Sequence, residues 1–199
     1  MIYFNVKLNC FKEIQMEARQ ILNDFDCHEF YVIRPLSLSL QTITNLNTEL
    51  THLGLPKVGP GMAFKRKNCR IQDRVVSKYT HIDSNSHEII TKVSLIIPVE
   101  GCLDTHMYYF DGDYRSDTTI INNISTTKLH WNSEPKIIDK ISVVDCPVIA
   151  KVDIPHDADS RLDGSYRSVV TFRFDNNPDI DTIYESYLQN KRTDCEIVQ

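Results

Sequence analysis

The sequence predicts a mainly β protein with supporting helices, whose strands form an antiparallel sandwich or barrel. From about residue 70 to 175, short segments rich in β-branched and aromatic residues are each bounded by Gly, Asn, Asp or Pro. Helical periodicity occurs only before residue 60 and after residue 178. A parallel pair of strands needs a long crossover connection, so strands that follow one another without helices are expected to pair antiparallel.

The composition is that of one globular domain covering residues 1–199, with 41% hydrophobic and 25% charged residues. A formal net charge of −5 argues mildly against a nucleic-acid partner. The first residues lack the pattern of a signal peptide, and no stretch approaches the roughly 18 apolar residues of a membrane span. Six scattered cysteines without a C-x-x-C pair then favour reduced thiols and a cytoplasmic location.

The first part of the chain, about residues 1–60, is predicted to be a support layer of helices and one strand. Residues 10–25 place apolar side chains at helical spacing with charges between them, which predicts an amphipathic helix. Residues 28–36 are aromatic and β-branched and predict a strand, and residues 39–54 predict a second helix. Three glycines and two prolines in residues 54–64 mark the end of this layer.

The β-rich core is expected over about residues 70–175, and a short helix over about 178–190 closes the chain. Pro178 suits the first position of that helix. The predicted core strands are residues 74–83, 91–99, 105–112, 128–132, 137–156 and 166–174.

Alternation along two of these strands predicts which way three polar residues, His81, Asp83 and His156, point. Side chains two apart share a face, so Tyr79, His81 and Asp83 point the same way, with imidazole and carboxylate about 7 Å apart along the strand. In residues 137–156, the same rule places His156 in the apolar row rather than the polar one. The other members of that row are Val148, Ala150, Val152 and Ile154.

Two histidines and one carboxylate form a three-ligand set that leaves adjacent positions on a metal open. His81 and Asp83 supply the first two ligands from one strand, and His156 supplies the third from a distant strand. Such a set predicts a metal that binds further small ligands.

The stretch from "HID" to "YRSVVTFRF" resembles the superfamily of Fe(II) oxygenases that use 2-oxoglutarate. His81 and Asp83 form the motif "HID", which an apolar strand and turn, "KVSLIIPVEG", follow. The segment "VIAKVDIPH" looks like the strand that carries the second histidine, His156. Arg167 lies eleven residues later (167 − 156 = 11), at the usual spacing of the basic residue that pairs with 2-oxoglutarate. The likeness covers roughly residues 70–175.

The resemblance implies a double-stranded β-helix (jelly-roll) core and an Fe(II) ion held by His81, Asp83 and His156. It implies 2-oxoglutarate and O2 as co-substrates, with the far carboxylate of 2-oxoglutarate bound by the planar guanidinium of Arg167. Tyr79 shares the ligand face and is a candidate contact for the co-substrate. The implied reaction hydroxylates a small molecule or a protein side chain and releases succinate and CO2. The loops and N-terminal elements that select substrates carry no recognisable signature here.

A second class of function stays open on the same residues. The protein is then a metal-binding, cupin-like protein without oxygenase activity, or a β-sandwich binding module, since two histidines and a carboxylate also hold Zn(II). Arg167 discriminates between these classes, because a structural or hydrolytic metal site does not need a buried cation nearby. Arg161 and Arg173 are rival cations, and His87 is expected in a loop or at the pocket rim. The basic run over residues 64–70 is expected to be a solvated loop.

Overall fold

The computed structural model describes residues 1–25, 30–67, 80–83, 90–121, 124–160 and 163–196. Its helices are α1 (Phe11–Asn23), α2 (Leu40–His52) and α3 (Ile180–Glu196). Its strands are β1 (Tyr3–Asn5), β2 (Phe30–Leu36), β3 (Gly61–Arg66), β4 (His81–Ile82), β5 (Val93–Glu100), β6 (Met107–Asp111), β7 (Tyr114–Ile121), β8 (Ile124–Trp131), β9 (Lys136–Ile141), β10 (Val148–Lys151), β11 (His156–Ala158) and β12 (Arg167–Arg173). The protein is mainly β, as the sequence predicts.

The strands form two antiparallel sheets of six strands each. Sheet 1 has the order β1-β10-β5-β12-β3-β2, and sheet 2 has the order β7-β8-β4-β11-β6-β9. From β3 to β6 and again from β9 to β12, successive strands alternate between the sheets. The β7–β8 hairpin extends sheet 2 beyond β4. This arrangement is compatible with the predicted jelly-roll.

Sheet 1 is the middle layer of three, with helices on one face and sheet 2 on the other. Leu95 and Ile97 of β5 belong to the core that the helices cover, whereas Ile96 belongs to the core between the sheets. This division follows from the alternation of side chains along a strand. The helices bury apolar residues at helical spacing against this face, among them Ile14, Ala18, Leu22, Leu46, Leu50, Ile180 and Ile183. Each such large side chain stabilises the fold by about 1.5–3 kcal/mol relative to exposure.

Helices α1 and α2 satisfy the free backbone groups at each other's N-termini. The carboxylate of Glu49 in α2 accepts hydrogen bonds from the backbone N–H groups of Asn9 and Cys10, just before α1. In return, Glu17 of α1 accepts from the backbone N–H of Ser39, the residue that caps α2. Negative charge is favourable at a helix N-terminus, so these contacts hold the helix pair together.

Strands on both sides of the expected boundary near residue 60 build sheet 1. Strand β3 begins inside the Gly/Pro-rich stretch 54–64 and pairs with both β2 and β12. The prediction of a solvated loop over residues 64–70 is wrong for Lys65 and Arg66, which lie in β3 and are buried.

The structure also differs from the sequence prediction in three elements. Residues 137–156 are not one strand but β9, β10 and β11, which lie in sheets 2, 1 and 2 in turn. Strand β7 was not predicted, because its residues are mostly polar and it is an edge strand. Helix α3 begins at Ile180 rather than at Pro178.

None of the described helices is long and apolar enough to cross a membrane. The cysteines whose side chains the structure describes, Cys10, Cys102 and Cys146, are free thiols.

Candidate metal centre

Strand pairing in sheet 2 brings the two predicted histidine ligands side by side. His156, the first residue of β11, lies directly opposite His81 of β4 and opposite Tyr109 of β6 on its other side. Directly opposed residues of antiparallel strands point to the same face, so the two imidazoles meet although 75 residues separate them (156 − 81 = 75). Their ring centroids are 4.5 Å apart.

Asp83 completes the cluster from the end of β4. Its carboxylate Oδ1 lies 3.3 Å from His81 Nε2 and 3.8 Å from His156 Nε2. One ligand atom from each of the three residues lies within 4.8 Å of the others. Backbone hydrogen bonds on both sides fix Asp83, since its N–H donates to Val152 and its carbonyl accepts from Thr91.

The second ring nitrogen of His156 is also oriented. Nδ1 lies 2.9 Å from the carbonyl oxygen of Ile154. A carbonyl can only accept a hydrogen bond, so Nδ1 carries the proton and Nε2 presents its lone pair toward Asp83. A metal-binding histidine is commonly oriented in this way.

Burial and neighbouring groups favour the ionised form of Asp83 and the neutral form of His156. Burial and the adjacent His81 lower the pKa of His156 to about 4, against the opposing effect of Asp83. For Asp83, burial raises the pKa, but the hydrogen bond with His81 and the nearby His156 and Arg173 outweigh it and lower the pKa to about 2. Near neutral pH the site therefore contains a carboxylate and a neutral His156, both ready to coordinate.

The three residues form part of the wall of a cavity between the two sheets. The volume of the cavity is about 70 Å³. This is several times the roughly 10–15 Å³ that one water molecule needs. The cavity therefore has room for a small ligand beside the three side chains. Apolar residues supply much of the wall, namely Phe64, Ile96, Met107, Val152, Ala158 and Val169.

Two arginines reach the same cavity from adjacent strands of sheet 1. Arg167 is 5% exposed, and its Nε donates to Thr105 Oγ1 at 3.1 Å. Arg66 lies directly opposite Arg167 and forms a buried ion pair with Asp157, the residue after His156. No carboxylate in the described part of the chain pairs with Arg167, so its guanidinium is the cation available to an anionic ligand.

The other residues considered from the sequence have varied positions. Tyr79, Arg161 and His87 lie outside the described residues, so their roles stay predictions. Arg173 is the last residue of β12, and its positive charge helps to lower the pKa of Asp83. Tyr109 of β6, which lies opposite His156, also has its ring near the site, with the two ring centroids 6.2 Å apart.

Sequence reasoning missed Thr105, Arg66 and Asp157. A short-range signal existed only for Asp157, which directly follows His156. Arg66 belongs to the basic run over residues 64–70, a pattern that is typical of a surface loop. Its burial depends on the pairing of β3 with β12.

No family model and no curated protein matches the chain. Among solved structures, it is similar to the Escherichia coli protein ycfD, with 11% identity and a TM-score of 0.38, over 84% of this chain and 40% of that one. The chain thus spans less than half the length of that protein. It is also similar to a Pseudomonas putida prolyl-4-hydroxylase, with 13% identity and a TM-score of 0.39, over 86% of this chain and 91% of that one. Both likenesses are too distant to assign a function.

Proposed function

We propose that the protein is an Fe(II)- and 2-oxoglutarate-dependent dioxygenase that hydroxylates a small-molecule or protein side-chain substrate and releases succinate and CO2. One observation carries the proposal. His81, Asp83 and His156 converge within 4.8 Å on the wall of a cavity that the buried guanidinium of Arg167 also lines. A metal-ligand set and a matched cation in one cavity are what a chelating dicarboxylate needs.

The chemistry of the donor set fits a divalent iron ion. Two imidazoles and one carboxylate are the facial set of non-haem Fe(II) oxygenases, with adjacent positions open to further ligands. Asp83 is ionised and His156 is neutral near neutral pH, so neither must lose a proton to coordinate. When bound, the iron supplies the redox chemistry that activates O2.

Arg167 is suited to the far carboxylate of 2-oxoglutarate. A buried guanidinium forms strong, bidentate hydrogen bonds with a carboxylate. The contact with Thr105 restrains Nε and leaves the two terminal nitrogens for the ligand. A purely structural or hydrolytic metal site does not require such a cation.

The remaining cavity residues orient the reactants and exclude water. The apolar wall formed by residues such as Ile96, Met107 and Val169 lowers the local dielectric and thereby strengthens the ion pair between Arg167 and a carboxylate. Tyr79 would contact the co-substrate from the ligand face.

The proposed fold is a double-stranded β-helix within a single domain over residues 1–199. The strand order supports it, because the inner four strands of sheet 1, β10-β5-β12-β3, face the four strands β4-β11-β6-β9 of sheet 2. The strands alternate between the sheets from β3 to β6 and from β9 to β12, and the β7–β8 hairpin lies between β6 and β9, which are both in sheet 2.

The first experiment is anaerobic reconstitution of the purified protein with Fe(II), followed by titration with 2-oxoglutarate. We expect the weak visible charge-transfer band of an Fe(II)–2-oxoglutarate chelate. His81→Ala should abolish this band, whereas His52→Ala, which removes an exposed histidine of α2, should leave it unchanged. Arg167→Ala should retain iron but need a much higher 2-oxoglutarate concentration.

Other outcomes would contradict parts of the proposal. Bound iron with no band would favour the cupin-like alternative. Full 2-oxoglutarate affinity in Arg167→Ala would show that Arg173 or Arg161 binds the carboxylate instead. Arg115→Ala, an exposed arginine of β7, is the matched control for loss of positive charge.

A further inference from the structure

The row of opposed residues that contains the two candidate histidine ligands continues onto the β7–β8 hairpin. His156 lies opposite His81, His81 opposite Lys128 of β8, and Lys128 opposite Asp117 of β7. Directly opposed residues of antiparallel strands share a face. Lys128 therefore lies on the same face of sheet 2 as the candidate metal ligands, one strand away.

This placement puts the Lys128 ammonium within reach of the space beside the centre. Neighbouring strands are about 4.8 Å apart, and the lysine side chain is a flexible four-carbon stem with a point charge at its end. The side chain is half-buried. It is thus neither enclosed in the core nor fully extended into solvent.

Within the part of the chain that the structure describes, no carboxylate pairs with the Lys128 ammonium, because the one directly opposite pairs with another residue. Asp117, the carboxylate opposite Lys128, lies 3.1 Å from His130 Nε2 instead. Lys128 forms no hydrogen bond or ion pair with any residue in the described ranges. Arg115, which lies opposite His130 on the same face, adds a second positive charge and is exposed.

We propose that Lys128 is a specificity residue that binds an oxyanion of the substrate, a carboxylate or a phosphate, beside the candidate metal centre. This inference rests on the proposed function, because it treats the space next to His81 as the place where the substrate lies. Arg167 lies within the cavity and is assigned to 2-oxoglutarate, whereas Lys128 lies on the hairpin outside the cavity lining. An ion pair there would position a substrate without displacing a metal ligand.

The test uses protein loaded with Mn(II), a paramagnetic ion that replaces Fe(II) without turnover. A fall in water-proton relaxation on addition of 2-oxoglutarate first reports chelation at the metal, which tests the proposed function by itself. With 2-oxoglutarate saturating, methylphosphonate is titrated and its phosphorus relaxation is measured. Acetate labelled with carbon-13 is titrated in the same way to compare the two classes of oxyanion.

We expect saturable relaxation enhancement for at least one probe, with the affinity at least tenfold weaker in Lys128→Met. Lys128→Arg should keep the affinity within about threefold, because the charge remains. Lys140→Met, which removes an exposed lysine on β9 at the opposite side of sheet 2, should behave as the wild type.

The outcomes separate the two proposals. No enhancement for either probe, or equal enhancement in Lys128→Met and wild type, overturns the role of Lys128 even if 2-oxoglutarate chelates. An unchanged water signal with 2-oxoglutarate overturns the proposed function and, with it, the assignment of this space to a substrate. Failure of Mn(II) to bind overturns both.

Discussion

Replacing Asp157 with Asn is expected to destabilise the protein by about 3–5 kcal/mol, because it removes the carboxylate from a buried ion pair. The side chains of Arg66 and Asp157 are only 5% and 2% exposed. Asp157 also accepts a hydrogen bond from the backbone N–H of Ala158 at 2.8 Å. The substitution keeps the shape of the side chain but removes the carboxylate charge of Asp157 from beside the buried Arg66 guanidinium, and Arg167 lies directly opposite.

The magnitude is large compared with the total stability of a typical domain, about 5–15 kcal/mol. Urea unfolding monitored by circular dichroism should therefore show a clearly lower midpoint for Asp157→Asn. The double variant Arg66→Met, Asp157→Leu should recover most of the loss, because an apolar pair of similar volume needs no charge compensation.

A surface ion pair provides the matched control. Lys92 Nζ lies 3.1 Å from Asp179 Oδ1, but these side chains are 41% and 67% exposed. Lys92→Met should cost less than about 1 kcal/mol, since water screens such pairs. If Asp157→Asn cost no more than Lys92→Met, the reasoning that Asp157 compensates a buried cation would be refuted.

Two further predictions concern the helix pair and the turn after β5. Burial raises the pKa of Glu17, but hydrogen bonds, including two from Ser39, outweigh it and lower the pKa below its ordinary value. Glu17→Gln should therefore lower the free energy of unfolding by about 1 kcal/mol near pH 6. This loss should shrink as the pH falls below about 4.5, where the carboxylate becomes protonated. A loss that stays constant in urea unfolding between pH 6 and pH 3 would contradict this prediction. Gly101 has φ +61°, and a Cβ there would lie 1.7 Å from the carbonyl oxygen of Tyr166, so Gly101→Ala should lower both the unfolding midpoint and the affinity for 2-oxoglutarate. Gly164→Ala is the control, because its φ of +82° is equally restrictive but a Cβ there would meet no atom of the described non-neighbouring residues within 4 Å. Equal effects in both variants would argue against the close approach at Gly101.

Local pattern was sufficient to predict the features of this protein that depend on short-range periodicity. Apolar spacing predicts α1, the closing signal of Gly54 and Pro56 predicts the end of α2, and alternation predicts that His81 and Asp83 share a face. The inward direction of His156 was predicted for a continuous strand, but β10 ends at Lys151 and His156 lies in the other sheet. Its side chain still faces inward because β11 pairs in register with β4.

Features that depend on pairing between distant strands could not be predicted from the sequence. The burial of Arg66 follows from the antiparallel pairing of β3 with β12, about 100 residues away along the chain. Strand β7 is an edge strand with polar side chains, so it lacks the hydrophobic alternation that marks a half-buried strand. Lys128 gained its position beside His81 only through the pairing of β8 with β4.

The charges that line the cavity indicate what can occupy it. Two carboxylates, Asp83 and Asp157, and two guanidiniums, Arg66 and Arg167, cancel one another while the site is empty of ligands. Uncompensated charge is costly in a partly apolar cavity, so occupants that preserve neutrality are favoured. A divalent cation alone would leave the cavity with two positive charges, and a dianion alone would leave two negative ones. Fe(II) and the 2-oxoglutarate dianion together restore the balance, which predicts that each binds more tightly in the presence of the other. Arg167→Leu removes one positive charge from this sum, so the variant should bind the 2-oxoglutarate dianion more weakly, whether or not Fe(II) is present, and should bind Fe(II) alone no more weakly than the wild type. Calorimetric titrations of 2-oxoglutarate and of Fe(II) would measure the two effects.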